Sequence, residues 1–147
     1  MTEFKRITPG LLASGQITPD DVAAAREHGV TLIINNRPDE EEPGQPTGAS
    51  IEDAAREAGI AYIAIPVGSG GFSLPQVDAM AKAMAGADGK TLAFCRTGTR
   101  STLLWALTQA KQGRDTDAIA ADAAAAGYSV DPVRPTLDML SAGAGKD

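Results

Sequence analysis

The sequence has little cysteine and histidine, with one of each among 147 residues. One cysteine excludes an intrachain disulfide, and such a small supply of thiol and imidazole ligands excludes a zinc site built from them. A serine–histidine–aspartate triad would have to use His28. That residue precedes Gly29 at the expected end of a helix, where a histidine commonly acts as a cap. We therefore expect a protein with no metal and no cofactor.

Positive charge and long apolar runs are also scarce. Lysine and arginine number 13 against 19 acidic residues, which gives a formal net charge of -6. This balance argues against nucleic acid and anionic membranes as partners, because both attract basic surfaces. No apolar run approaches the length of a membrane span, and no apolar signal core follows the first charged residues. The sequence predicts a cytoplasmic protein.

Aromatic residues make up only 4% of the chain, although 43% of it is hydrophobic. The core must therefore consist mainly of alanine, valine, isoleucine and leucine. Sixteen glycines and nine prolines indicate many turns between short elements. A chain of this length is typical of one domain, and we predict a single domain over residues 1–147 with a disordered tail at 141–147.

Apolar segments alternate with helical patterns that end at glycine. The segments 30–35 and 60–65 are near-continuous apolar runs, which are typical of strands buried on both faces. The pattern predicts an α/β domain with a central, mainly parallel sheet flanked by helices. Strands are expected within 7–14, 30–35, 60–65 and 91–94, and helices over 18–28, 49–58, 74–85, 99–112, 115–126 and 132–140.

Ligands of parallel sheets bind at the carboxyl ends of the strands. Three loops are expected to meet there, after Asn35, Ile65 and Phe94. The first of them, over residues 36–48, is longer than most connections of its kind, which indicates a function.

One heptapeptide carries the expected chemistry, Cys95-Arg96-Thr97-Gly98-Thr99-Arg100-Ser101. It follows a buried strand, turns at a glycine and enters a helix, so its backbone N–H groups form a nest beside the positive end of that helix. The guanidinium of Arg100 can bind an oxyanion through two parallel hydrogen bonds. These features favour the thiolate form of Cys95 and predict a nucleophile for anionic substrates.

The candidate site therefore has two catalytic residues and several anion-binding ones. Cys95 and Arg100 are predicted to be catalytic. Arg96, Thr97, Gly98, Thr99 and Ser101 are predicted to bind the anion or hydrogen-bond the sulfur, and Arg37 could add a second guanidinium or form a surface salt bridge. A single cysteine at a strand end is more often a small buried hydrophobe, but the surrounding glycine turn, arginines and hydroxyls favour the nucleophile.

Three segments of the chain match known proteins: Asn36-Arg37-Pro38-Asp39, Ile65-Pro66-Val67 and the Cys95–Ser101 loop with Trp105 and Leu107 behind it. With them, the chain resembles the dual-specificity phosphatase fold from about Ile7 to Leu140. More closely, it resembles the bacterial family named for the phosphatase-like domain of beta-lactamase hydrolase-like proteins. Members of that family are regarded as phosphatases or as rhodanese-like sulfurtransferases.

Two departures from the phosphatase pattern favour sulfur chemistry. Phosphatases of this fold have five residues between the cysteine and the arginine, whereas this chain has four, the spacing of rhodaneses. They also carry an aspartate general acid on the loop after the second buried strand, and the loop over residues 66–73 contains no carboxylate. A missing general acid commonly costs on the order of 100- to 10,000-fold in rate.

We therefore interpret the sequence as a cysteine-dependent sulfurtransferase that forms a persulfide on Cys95. Its partners would be a small anionic sulfur donor, such as thiosulfate or a persulfide, and a thiol or cyanide acceptor. The resemblance also implies a separate sulfur-oxidising enzyme acting in trans. The first alternative is a phosphatase with a phosphocysteine intermediate and a phosphorylated substrate. Its general acid would come from Asp39, Glu40, Glu41 or Glu42, which follow the first buried strand, with Asp39 as the candidate, although such a run of charges usually faces water. The second is an anion-binding module without catalysis.

Overall fold

The computed structural model describes residues 3–68 and 70–144. Its five-stranded sheet has the order β1-β2-β5-β3-β4. Strand β1 runs antiparallel to β2, and the other three pairs are parallel, which confirms the predicted mainly parallel sheet. The strands are β1 (Lys5–Thr8), β2 (Leu11–Ser14), β3 (Val30–Asn35), β4 (Ala61–Ala64) and β5 (Lys90–Phe94).

Helices flank this sheet, and the first five begin and end within one residue of the bounds expected from the sequence, whereas the last begins two residues later and ends three residues later. Ser73 caps one helix by accepting a hydrogen bond from the N–H of Gln76, and Gly59 ends another with a left-handed φ of 75°. The helices are α1 (Pro19–Glu27), α2 (Gly48–Ala58), α3 (Leu74–Ala85), α4 (Thr99–Lys111), α5 (Thr116–Ala125) and α6 (Arg134–Gly143).

Two buried clusters lie on opposite faces of the sheet. Successive side chains of β3 alternate between them, with Ile33 in the cluster shared with α1 and α2, and Ile34 in the cluster shared with α3 to α6. The fully buried Trp105 lies in the second cluster and fixes α4 against the sheet. The three-layer α/β arrangement is therefore the one predicted from the sequence.

Strand β4 corrects one expectation. The apolar run over residues 60–65 was predicted to be a strand buried on both faces, but β4 is the last strand of the sheet. Ala61 and Ala64 are exposed, and Tyr62 and Ile63 are only partly buried. Apolar composition indicates a strand but does not specify its place in the sheet, and here β3 and β5 occupy the centre.

The carboxyl-terminal tail corrects another expectation. Helix α6 continues to Gly143, and the hydroxyl of Ser141 donates to the carbonyl of Arg114. The prediction of disorder is therefore wrong for residues 141–143, whereas residues 145–147 lie outside the described part of the chain. Among the helices within residues 3–68 and 70–144, none combines the length and apolar character needed to cross a membrane.

The three loops expected to meet do so at one edge of the sheet. The backbone N–H of Asn36 donates to the carbonyl of Phe94 at 2.8 Å. The backbone N–H of Val67 donates to the carbonyl of Asn36 at 2.9 Å. These bonds join the segments that follow β3, β4 and β5, and they place Cys95 where the three converge.

Candidate active site

Cys95 directly follows β5 and is 1% exposed. Its backbone N–H donates to Ser14, and its sulfur accepts a hydrogen bond from the N–H of Gly98 at 3.1 Å. Gly98 is the N-cap of α4 and has a φ of 92°, a conformation that favours glycine. The turn therefore aims a main-chain donor at the sulfur beside the positive end of α4.

Arg100 projects from the first turn of α4 toward this sulfur. Its Nη1 donates to the carbonyl of Val67 at 2.6 Å, which fixes the guanidinium on the loop after β4. Hydrogen bonds to Glu41 raise the pKa of Arg100 above its ordinary value, and the negative charge and hydrogen bonding of Cys95 raise it further, against burial. Cys95 and Arg100 thus lie near each other at the start of α4.

Glu41 binds the same guanidinium through both of its terminal nitrogens. Its two carboxylate oxygens accept from Nη1 and Nη2 of Arg100 at 2.7 and 2.8 Å, and one of them accepts from Nε of Arg37 at 2.8 Å. The hydrogen bonds from Arg100 are the main cause that lowers the pKa of Glu41 from 4.5 to about 2. The carboxylate is therefore charged near neutral pH.

Arg37 forms the salt bridge that was one of its two expected roles, but from a buried position. Its side chain is 1% exposed and pairs with Glu41 and Glu42. Its Nε, Nη1 and Nη2 donate to Glu41, Gln16 and Glu42, respectively. Through the bond from its Nε, Arg37 supports the carboxylate that pairs with Arg100. The side chain of Arg96 is 66% exposed, and its Nη2 lies 3.7 Å from Oε2 of Glu42.

Ser101 also has a different contact from the one predicted. Its hydroxyl donates to Oδ1 of Asn36 at 2.8 Å, and the amide of Asn36 donates to the carbonyl of Ile65 at 2.9 Å. Both side chains are buried. The hydroxyl was expected to serve the sulfur or the substrate, but it joins α4 to the segments that follow β3 and β4.

The outer rim of the Cys95 loop is held by Tyr128, which sequence reasoning did not place in the site. The phenol donates to the carbonyl of Thr97 at 3.2 Å, and a Cβ added to Gly98 would lie 2.2 Å from the phenol oxygen. Thr97 and Thr99 are hydrogen-bonded to each other through their hydroxyls at 3.0 Å. Burial raises the pKa of Tyr128, and the charge of Cys95 adds to the increase.

Asp39 is engaged elsewhere. One of its carboxylate oxygens accepts a hydrogen bond from the N–H of Gly48 at 2.8 Å, at the beginning of α2. The Asp39 carboxylate therefore serves as a hydrogen-bond acceptor at the amino-terminal end of α2. The acidic side chain that contacts Arg100 is Glu41. Within residues 3–68 and 70–144, no group of three histidine, cysteine, aspartate or glutamate side chains is arranged to hold a metal.

Comparison with known proteins agrees with this geometry. Residues 3–112 match the family described as the phosphatase-like domain of beta-lactamase hydrolase-like protein. The chain belongs to this family. Relatives named beta-lactamase hydrolase-like protein occur in Xylella fastidiosa and Agrobacterium fabrum, and each is 38% identical over 74% of the chain. The chain spans about a quarter of the length of these relatives, 25% in each case.

Solved structures of the same fold carry phosphatase names. A protein of Neisseria meningitidis, provisionally named a phosphatase, is 34% identical with a TM-score of 0.82, over 92% of this chain and 96% of its own. A protein of Shewanella putrefaciens with a similar provisional name is 25% identical with a TM-score of 0.74, over 97% and 93%. The family and the structural neighbours thus establish a cysteine-phosphatase-like fold. The match to the family ends at residue 112, so it does not include Tyr128.

Proposed function

We propose that this chain is a cysteine-dependent enzyme for small anionic substrates, and that it transfers sulfur through a persulfide on Cys95. The observation that supports sulfur transfer is the state of the carboxylates around the loop. Glu41 has a pKa of about 2 and is paired with two arginines, and Asp39 is bound to the start of α2. Neither carboxyl group is placed to protonate a leaving group near neutral pH.

Sulfur transfer from thiosulfate needs no such proton. The Cys95 thiolate attacks the outer sulfur, the sulfur–sulfur bond of thiosulfate breaks, and its electron pair leaves with sulfite. The outer sulfur then remains on Cys95 as a persulfide anion beside the N–H of Gly98 and the guanidinium of Arg100. An acceptor thiolate or cyanide attacks this sulfur and releases Cys95 as the thiolate, which closes the cycle.

The second candidate is phosphate ester hydrolysis with a phosphocysteine intermediate. The names of the similar solved structures favour this reaction over sulfur transfer. Against it stand the four residues between Cys95 and Arg100, where phosphatases of this fold have five.

Intact-protein mass spectrometry distinguishes the two reactions. After incubation with thiosulfate or glutathione persulfide, we expect the wild-type protein to gain the mass of one sulfur atom. The gain should be absent from Cys95→Ser and should be reversed by cyanide, with release of thiocyanate. Arg100→Lys, which keeps the charge but loses the planar fork, should form the persulfide more slowly.

A phosphatase assay provides the opposing result. If wild-type protein hydrolyses phosphotyrosine peptides in a Cys95-dependent manner, and no persulfide forms with either donor, then the sulfur-transfer proposal is wrong and the second candidate is correct. Trapping of a phosphopeptide by Cys95→Ser would support the same conclusion. Bound anion without turnover of either kind would indicate a binding module.

A further inference from the structure

The oxyanion-binding face of Arg100 is occupied by a side chain of the protein itself. Glu41 accepts from both terminal nitrogens of Arg100, through two different oxygens at 2.7 and 2.8 Å. This is the bidentate geometry in which a guanidinium binds carboxylate and phosphate groups. The carboxylate of Glu41 therefore holds the position that two oxygens of a bound substrate would take.

Buried contacts hold Glu41 in this position. Arg37 donates to it from Nε at 2.8 Å, and the side chain of Arg37 is only 1% exposed. Arg37 is fixed in turn by Gln16, at the end of the β1–β2 hairpin, and by Glu42. Since a buried cation sets the place of the carboxylate, the pair with Arg100 differs from an exposed surface ion pair, which commonly contributes little.

The pair also joins two segments around Cys95. It connects residues 59 positions apart in the sequence and ties the loop after β3 to the first turn of α4. Cys95 is 1% exposed, and the side chains of Arg100 and Glu41 are 22% and 27% exposed. Because Cys95 is buried, a substrate reaches its sulfur only after neighbouring groups move.

We propose that Glu41 is an internal counter-anion, so that the Cys95 loop binds an oxyanion only in exchange for the Glu41 carboxylate at Arg100. The exchange selects for substrates whose anionic head has two or more oxygens and which carry more negative charge than one carboxylate, such as the thiosulfate dianion. This choice of substrate rests on the proposed sulfur transfer, whereas the exchange itself does not.

Competition between inorganic sulfate and alkylation of Cys95 tests the exchange. Iodoacetamide is neutral, so the sulfate concentration that halves its reaction with Cys95 measures occupancy of the loop. Glu41→Gln removes the competing charge, and we expect its sulfate affinity to be about tenfold higher than that of wild type, because the competent state is no longer a minor one.

Glu40→Gln is the matched control. It removes the same charge from the neighbouring position, and Glu40 has no ion pair or hydrogen bond within the described ranges 3–68 and 70–144. We expect its sulfate affinity to match that of wild type. Equal affinities for Glu41→Gln and Glu40→Gln would overturn the inference.

A second variant keeps the test decisive if Glu41→Gln does not fold. Glu41→Asp keeps the charge but retracts it by one methylene, and it should bind sulfate more tightly than wild type by a smaller factor. An unchanged affinity in this variant would equally overturn the inference. Tighter sulfate binding in a protein that forms no persulfide would leave the exchange established and reject the proposed sulfur transfer.

Discussion

Asn36 makes more connections around the site than its position in a loop suggests. Its backbone bonds to Phe94 and Val67, and its side chain accepts from Ser101 and donates to Ile65. The residue is fully buried. One side chain therefore sets the distance between the three segments that surround Cys95.

Removing the hydroxyl of Ser101 should lower the free energy of unfolding. In Ser101→Ala the Oδ1 of Asn36 remains buried without its donor, and such a loss costs about 1 to 3 kcal/mol. Urea unfolding should show the decrease. Ser129→Ala removes an exposed hydroxyl that accepts one hydrogen bond, from the N–H of Asp131 at 3.2 Å, so it should lower the free energy of unfolding by less than Ser101→Ala does. If the two variants unfold at the same urea concentration, the Ser101–Asn36 bond does not stabilise the protein.

The sequence predicts the reacting residues of the site better than their supports. Cys95 and Arg100 lie five positions apart on one strand–turn–helix segment, so local rules suffice to bring them together. Glu41 is 59 positions from Arg100, and Tyr128 is 31 from Thr97. Such contacts depend on how whole elements pack, and no local pattern in one sequence specifies them.

At the scale of elements, the junction between β5 and α4 leaves no room for a side chain at Gly98. Gly98 needs a positive φ and also lies directly under the phenol of Tyr128, where an added Cβ would be 2.2 Å from oxygen and 2.9 Å from the ring. Two separate constraints therefore require glycine at the start of α4.

A double-mutant cycle separates these constraints. Gly98→Ala should destabilise the protein through both the clash and the left-handed backbone, the latter by roughly 1 to 2 kcal/mol. Tyr128→Ala removes only the clashing ring. We expect the loss of unfolding free energy in the double variant to be smaller than the sum of the two single losses by at least about 1 kcal/mol. Additive losses, measured by urea unfolding, would show that the ring does not restrict this position.

The boundaries of elements follow from local signals, but the order of strands does not. Ser73 with Gln76 and the glycine after α2 are capping signals that can be read along the chain. The apolar residues of β4 are typical of a central strand, yet β4 lies at the edge of the sheet. Among the residues that the structure describes, it pairs with β3 alone, and the other side of β3 pairs with β5. Strand order is a property of nonlocal pairing, and a run of isoleucine and alanine is compatible with either place.

At the scale of the whole molecule, the ion pairs around Glu41 predict a pH dependence of stability. Its pKa falls from 4.5 to about 2 on folding, so its contribution is fully present above about pH 4.5 and is lost as the pH falls toward 2. Wild type should therefore be more stable than Glu41→Gln at pH 7, and this difference should shrink between pH 4.5 and 2. Urea unfolding at several pH values measures it, and a difference that stays constant in this range would contradict the assignment.

The placement of the single tryptophan has a practical consequence. Trp105 is fully buried on the helix behind the cysteine loop, with the guanidinium of Arg114 6.0 Å from its ring centre. Its emission thus originates from one known place, one side of which is charged and the other apolar. The emission wavelength and intensity of Trp105 can therefore report, without a label, whether α4 behind the cysteine loop stays folded during any of these measurements.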